Sequence, residues 1–296
     1  MSDKIDETSG IETTGHEWDG IKELNNPLPK WWLYTFYACI VWAVIYSIAY
    51  PAWPMVNRAT AGFLGFSTRA QVAETIKEFE DKNAALRTEL AAADLNEVIA
   101  DPSTALHNFA VQGGGAIFRA NCSQCHGSGA AGAKGFPNLL DDDWLWGGTV
   151  EEIAYTVANG VRNEQSDDAH YSEMTAFGRD EILSKEEIAQ VVQNVMQISG
   201  QEFDAPLAAE GAVVFEDNCA ACHGEDGTGD VAGGAPNLTD AIWLYGGDVA
   251  TVTETVTNAR FGVMPAWAED YRVGGGLSQD EINAVAVYVH TRGGGQ

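Results

Sequence analysis

The chain writes one chemical pattern twice. Asn121–Gly127 reads NCSQCHG, and 97 residues later Asn218–Gly224 reads NCAACHG. Each stretch sets two thiols two residues apart with a histidine directly after, which is the attachment pattern of c-type haem. On a tight helical turn Cys122 and Cys125 can each form a thioether to one of the two haem vinyl groups. His126 then projects its ring toward the iron from the same edge, and Cys219, Cys222 and His223 repeat the arrangement. A zinc cage made from both cysteine pairs would leave both histidines superfluous. A thioredoxin-like redox pair needs an alternating helix–strand setting that is missing around these residues. The expected cofactor is two covalently bound haem c groups.

Each iron needs a sixth ligand or an open position. In the second repeat the leading candidate is Met264, in FGVMPAW, 41 residues after His223, with Pro265 stiffening the loop behind it. Its rival is His290, late in a helical stretch. In the first repeat the leading candidate is Met174, in HYSEMTAFG, 48 residues after His126; His170 competes, and Met196 falls in an apolar run that reads as core. The loop before Met174 is longer than its counterpart by about nine residues. The simplest assignment gives each methionine to the haem of its own repeat, and spacing leaves an exchange between neighbours open. His/Met ligation raises the reduction potential and fills both axial positions. Such irons pass single electrons and are poorly suited to catalysis.

The elements that must carry these residues are also duplicated. GGGAIFRANCSQCHG (113–127) matches EGAVVFEDNCAACHG (210–224), and PNLLDDDWLWGG (137–148) matches PNLTDAIWLYGG (236–247). TVANGVR (156–162) then resembles TVTNARF (255–261), and LSKEEIAQVVQNV (183–195) matches LSQDEINAVAVYV (277–289). A period of roughly a hundred residues means a domain pair rather than a short-period solenoid. Phe118 and Phe215, four residues before the first cysteine of each pair, are expected to pack an N-terminal helix on a C-terminal one. Trp144 and Trp243 line a haem edge, bind a propionate or simply pack. Arg162 and Arg260 are candidates to neutralise propionates or are solvated.

Ahead of the repeats, residues 31–57 carry no charged side chain, enough for one membrane-spanning helix. Trp31, Trp32, Tyr34, Tyr50 and Trp53 sit at its two ends as interfacial aromatics do, and Pro51 and Pro54 end it. Cys39 is a small apolar residue of this span. The apolar core is too long for a signal peptide and follows about thirty polar residues. Residues 1–30 read as a flexible acidic tail. Residues 70–100 read as a helical spacer, with Val72, Ile76, Phe79, Leu86 and Leu90 in one stripe and Asp101-Pro102 as the stop. His16 and His107 carry no assigned role.

The formal net charge of −27 over 296 residues argues against nucleic-acid binding, which needs basic surface. It favours basic partners steered by charge. Residues 201–296 alone carry 15 acidic and 3 basic side chains, the expected docking face for an electron donor. Lys22 and Lys30 before the span and Arg58 and Arg69 after it orient it weakly. Haem attachment orients it better, because bacteria join c-type haem on the outer side of the cytoplasmic membrane. The haem domains are expected in the periplasm and the N-terminus in the cytoplasm.

A polar start, one anchor, a helical spacer and two NCxxCHG units with PNL and WLxGG resemble the dihaem c-type subunit (subunit III) of the cbb3-type cytochrome c oxidases, over essentially the whole chain. Some members of that family carry two anchors; this chain shows one. The resemblance implies an all-α fold, with a single N-terminal transmembrane helix followed by two tandem cytochrome c domains at 105–200 and 201–296. It implies an electron wire without a catalytic centre of its own. Electrons would come from a cytochrome c or a quinol–cytochrome c oxidoreductase. They would pass through a monohaem cytochrome c subunit to a haem–copper subunit that reduces oxygen and moves protons. Cys122, Cys125, His126 and Met174 match the first site of the family, and Cys219, Cys222, His223 and Met264 the second. A stand-alone membrane-anchored dihaem carrier is the alternative. A dihaem peroxidase is weaker, since both methionines argue against an open iron.

Overall fold

The computed structural model describes residues 5–272 and 274–295. Residues 1–4 of the expected tail, and 273 and 296 of the last expected domain, lie outside the described residues. The chain divides into two units, 1–82 and 83–296.

In the first unit the expected flexible tail holds a hairpin. β1 (Thr13–Trp18) pairs antiparallel with β2 (Ile21–Leu24), with Trp18 opposite Ile21 and Glu17 opposite Lys22. Asp19 and Gly20 close it with φ of 48° and 84°. Two central residues at positive φ match the twist of the flanking strands, and Asp-Gly is a favoured pair for that turn. α1 (Lys30–Ala49) follows as one helix of 20 residues, apolar on every face and exposed nearly throughout. It is long and apolar enough to cross a membrane. It stops before Pro51, and the chain then folds back: Phe63 and Leu64 donate backbone bonds to Ile48 and Ala49.

The second unit is helical. α2 (Thr68–Ala92) enters it and ends on the buried Leu90. α3 (Leu95–Ala100), α4 (Ala105–Ile117), a wide π turn at Phe118–Cys122 and α5 (Ser123–His126) carry the first cysteine pair. α6 (Val150–Asn159) and α7 (Lys185–Ile198) complete the first repeat. The second repeat gives α8 (Ala205–Asn218), α9 (Ala220–His223), α10 (Val249–Asn258) and α11 (Gln279–His290). Thr149 and Ser184 open α6 and α7 with reciprocal capping boxes, satisfying orphan N–H groups at each start.

The longer helices of each repeat pack chiefly on those of the other. α4, which leads to Cys122, lies against α11, the last helix of the second repeat; α8, which leads to Cys219, lies against α7, the last helix of the first. α6 also packs on α11, and α10 on α7. Each crossing is made at a glycine. A Cβ on Gly114 would lie 2.0 Å from the Ala284 carbonyl oxygen, and one on Gly211 would lie 2.0 Å from that of Gln190. These four positions correspond in the two repeats, so one crossing geometry is used twice with partners exchanged. Phe118, expected to join a first helix to a last one, meets Tyr288 of α11 at 5.5 Å between ring centres.

Connection length accounts for the exchange. Only Ser199–Asp204 separates α7 from α8, a link short enough to make neighbouring helices pack on each other. Asp204 N–H donates to Gln193 Oε1 at 2.8 Å and Gln190 Nε2 donates to Glu210 at 2.6 Å, fastening this helical hairpin. With α7 taken by α8, α11 is left for α4. The end of α2 then closes over α11: Arg87 pairs with Asp280 at 2.7 Å, and buried Asn283 donates to the Leu90 carbonyl at 2.8 Å.

Candidate haem sites

Two apolar clusters surround the two cysteine pairs. The first joins Phe118, Val150, Ile153, Val157, Val285 and Val287, with Cys122, Leu139, Trp144 and Met264 against it. The second joins Val191, Val192, Met196, Phe215, Val252 and Val256, with Cys219, Leu238, Trp243 and Met174 against it. Both leading methionines therefore reach an apolar cluster that holds a Cys-x-x-Cys-His thiol. Each does so in the opposite repeat: Met264 with Cys122, Met174 with Cys219. The assignment of each methionine to its own repeat does not match this packing, for the same reason that the last helices are exchanged.

The histidines are held alike. His126 Nδ1 lies 3.0 Å from the Pro137 carbonyl, and His223 Nδ1 lies 3.0 Å from that of Pro236. A carbonyl oxygen only accepts, so Nδ1 carries the proton and Nε2 presents its lone pair, the tautomer a metal needs. Burial pushes both imidazoles below the usual histidine range, favouring the neutral ring. Gly127 and Gly224 end these turns at φ 77° and 78° with ψ near 155°, a region essentially closed to side chains. The chain then wraps beneath the ring: Gly132 donates to the His126 carbonyl at 2.8 Å, and Gly229 to that of His223 at 2.7 Å.

PNL thus acquires a physical meaning. Its proline supplies the carbonyl under the histidine. Its asparagine accepts from the backbone two residues on, Asn138 from Leu140 and Asn237 from Thr239, closing the turn. Its leucine, Leu139 or Leu238, enters the apolar cluster. Within each pair, the first cysteine is half-buried and the second exposed. Burial pushes the free Cys122 and Cys219 thiols up to about 11, so in this fold they are protonated and weakly nucleophilic. These thiols stand where thioether sulfurs stand in an attached c-type haem protein. The donor set, one neutral histidine, two thiols and one thioether sulfur in an apolar surround, fits such a group at both places.

Family models match three stretches. One described as the N-terminal domain of cytochrome oxidase-cbb3, FixP, covers residues 10–57. One for cytochrome C oxidase, cbb3-type, subunit III covers 109–194, and one for cytochrome c covers 208–293. A Cbb3-type cytochrome c oxidase subunit CcoP from Cereibacter sphaeroides is 60% identical, over 96% of this chain and 95% of the relative. The chain belongs to the CcoP/FixP family of cbb3-type oxidase subunits. A FixP from Azorhizobium caulinodans is 51% identical over 99% of this chain and 96% of its own length. A CcoP from Rhodobacter capsulatus is 51% identical over the full length of both.

As a CcoP/FixP member the chain is a membrane-anchored oxidase subunit with one N-terminal apolar helix, and its two cytochrome c domains imply haem c binding. The remaining sequence candidates fall elsewhere. His170 stacks on Trp146 at 5.2 Å and bonds the Thr156 hydroxyl at 3.1 Å, and Met196 is buried core as expected. His290 closes the last turn of α11. Trp144 spends its indole N–H on the Asp141 carbonyl at 2.9 Å. Arg260, just past the end of α10, donates back to the Thr251 carbonyl and Thr255 hydroxyl of that helix, and Arg162 donates to two backbone carbonyls. The two proline carbonyls were missed in the sequence, although the paired PNL stretches were visible there.

Proposed function

We propose that this chain is the dihaem electron wire of its oxidase. Two haem c groups are held covalently, one by Cys122 and Cys125, the other by Cys219 and Cys222. His126 and Met264 would be the iron donors of the first, and His223 and Met174 those of the second. When bound, each iron supplies a one-electron couple. The residues of the chain would supply a histidine Nε2 and a methionine sulfur to each group, and the apolar clusters around them would exclude water. The observation that carries this reading is that Met264 packs against the same apolar cluster as Cys122, and Met174 against the same cluster as Cys219.

Electrons come from a cytochrome c or a quinol–cytochrome c oxidoreductase, and leave through a monohaem cytochrome c subunit to the haem–copper subunit. The anchor lies in the bacterial inner membrane, with the N-terminus cytoplasmic and the haem domains periplasmic. The acidic surface supports a basic donor face. A reduced-minus-oxidised spectrum of the protein, drawn from native membranes in mild detergent, tests the reading. b-type bands and oxygen uptake accompanying the c-type bands are expected. c-type bands alone, without larger chains or oxygen uptake, would instead favour a stand-alone carrier.

A further inference from the structure

Met174 and Met264 sit in loops without regular secondary structure, and a methionine side chain has three rotatable bonds and no geometry of its own. Something must hold these loops if each sulfur is to stay at one distance from an iron. One side chain reaches both. Arg162 Nε donates to the Gly262 carbonyl at 2.8 Å, and its Nη1 donates to the Ser172 carbonyl at 2.9 Å. Gly262 lies two residues before Met264, and Ser172 lies two residues before Met174. Two extended residues span only about 7 Å, so a carbonyl fixed there confines the methionine Cα to a small arc.

The rest of the junction supports the same geometry. Val161, next to Arg162, exchanges both backbone bonds with Met264, at 2.9 and 3.0 Å. Asn163 Nδ2 adds a bond to the Met264 carbonyl at 3.1 Å. Arg162 N–H itself donates to the His170 carbonyl at 2.7 Å, on the segment leading to Met174. The guanidinium is half-buried between the rings of Trp146, at 5.2 Å, and Phe261, at 5.8 Å. Phe261 is the residue that corresponds to Arg162 in the second repeat, TVTNARF against TVANGVR. The two equivalent positions therefore meet across the junction.

We propose that Arg162 is a positioning residue common to both sites: one guanidinium sets the Met174 loop and the Met264 loop together, and the two methionine–iron bonds are coupled through it. The proposal rests on the reading that these methionines are the axial ligands. A planar fork can serve two acceptors in different directions; a lysine ammonium is a compact point charge on a flexible stem and does not reproduce that fork.

The test uses the full-length haem-loaded protein in detergent and reads the far-red iron–methionine charge-transfer band with a potentiometric titration. Met174→Leu and Met264→Leu are each expected to remove half of the band. Arg162→Leu is expected to weaken both halves and lower both potentials while covalent haem remains; Arg162→Lys recovers at most one half. Arg260→Leu, whose side-chain bonds go back to Thr251 and Thr255 of α10 and to neither methionine loop, leaves the band intact. If Arg162→Leu fails to accumulate, Arg162→Gln, with one short donor, is read in the same way. An unchanged band in the Arg162 variants, or loss confined to one haem in Arg162→Leu, overturns the shared role while the ligation reading stands. Methionine variants that leave the band whole overturn the ligation reading itself.

Discussion

Gly113 and Gly114 are neighbours in α4, yet the same substitution should act on them with opposite signs. A Cβ on Gly113 meets nothing within 4 Å, whereas one on Gly114 would sit 2.0 Å from the Ala284 carbonyl oxygen of α11. Alanine in a helix interior is worth about 1 kcal/mol over glycine, so Gly113→Ala should stabilise by roughly 0.5–1 kcal/mol. At Gly114 that gain is overrun. The helices must part by about 1 Å to reach even a tight contact, and overpacking of this kind costs roughly 1–3 kcal/mol or more. The obstacle is backbone, so trimming a side chain on α11 cannot relieve it. A net loss of about 2 kcal/mol lowers Tm by roughly 4–8 °C for a unit of this size. Far-UV circular dichroism melts of the haem-loaded protein give the sign, and amide exchange locates the damage. Exchange should rise in α11 for Gly114→Ala and in α7 for Gly211→Ala. If Gly114→Ala melts with or above the parent, or loosens α7 instead of α11, the exchanged crossing is wrong.

Other outcomes follow from the same contacts. A protease site placed in the Ser199–Asp204 link should yield two fragments that co-purify under native conditions and separate only in denaturant, because each packed cluster holds helices from both. Arg87→Ala removes the clasp on Asp280 and the hydroxyl of Ser278; since Arg87 is about a third exposed the loss should be only about 1 kcal/mol, seen as earlier proteolysis after α2. Thr149→Ala deletes half of a capping box and should cost roughly 1 kcal/mol in a thermal melt. Asp248 caps α10, and its bonds to Thr251 hold its carboxyl below the usual range. That contribution is present above the ordinary carboxylate pKa and is lost as pH falls through the depressed folded value. The Tm gap between parent and Asp248→Ala should therefore narrow on acidification; a gap constant down to strongly acidic pH would refute the assignment.

Much of this was readable in the letters. The haem motifs and the anchor carry strong local signals, and the matched LSKEEIAQVVQNV and LSQDEINAVAVYV stretches hold α7 and α11, each opened by its serine, Ser184 or Ser278. The hairpin was missed, although Asp19-Gly20 between Trp18 and Ile21 is a turn signal; the acidic composition around it argued for disorder. The exchange was illegible for a deeper reason. Corresponding helices of a duplicated unit carry the same pattern, so α4 fits α7 and α11 equally well by sequence. Only the brevity of Ser199–Asp204 separates the alternatives. The proline carbonyls under His126 and His223 were hidden because a backbone oxygen has no letter. Arg162 reads in sequence as a propionate partner or a solvated side chain, because its two carbonyl acceptors lie on loops that sequence cannot place.

The pairing of α4 with α11 also sets a timetable. The ribosome releases α4 and the first cysteine pair more than 150 residues before it releases the helix that walls them in. Until then the earlier site lacks its wall, and the Cys122 thiol is not yet raised by burial. The later site is different, because its wall, α7, is already made when Cys219 emerges. A premature stop just before Gln279 would therefore spare the half of the protein nearest the break and ruin the half made first. A chain cut there would keep the packed cluster completed first and lose the wall of the one begun first.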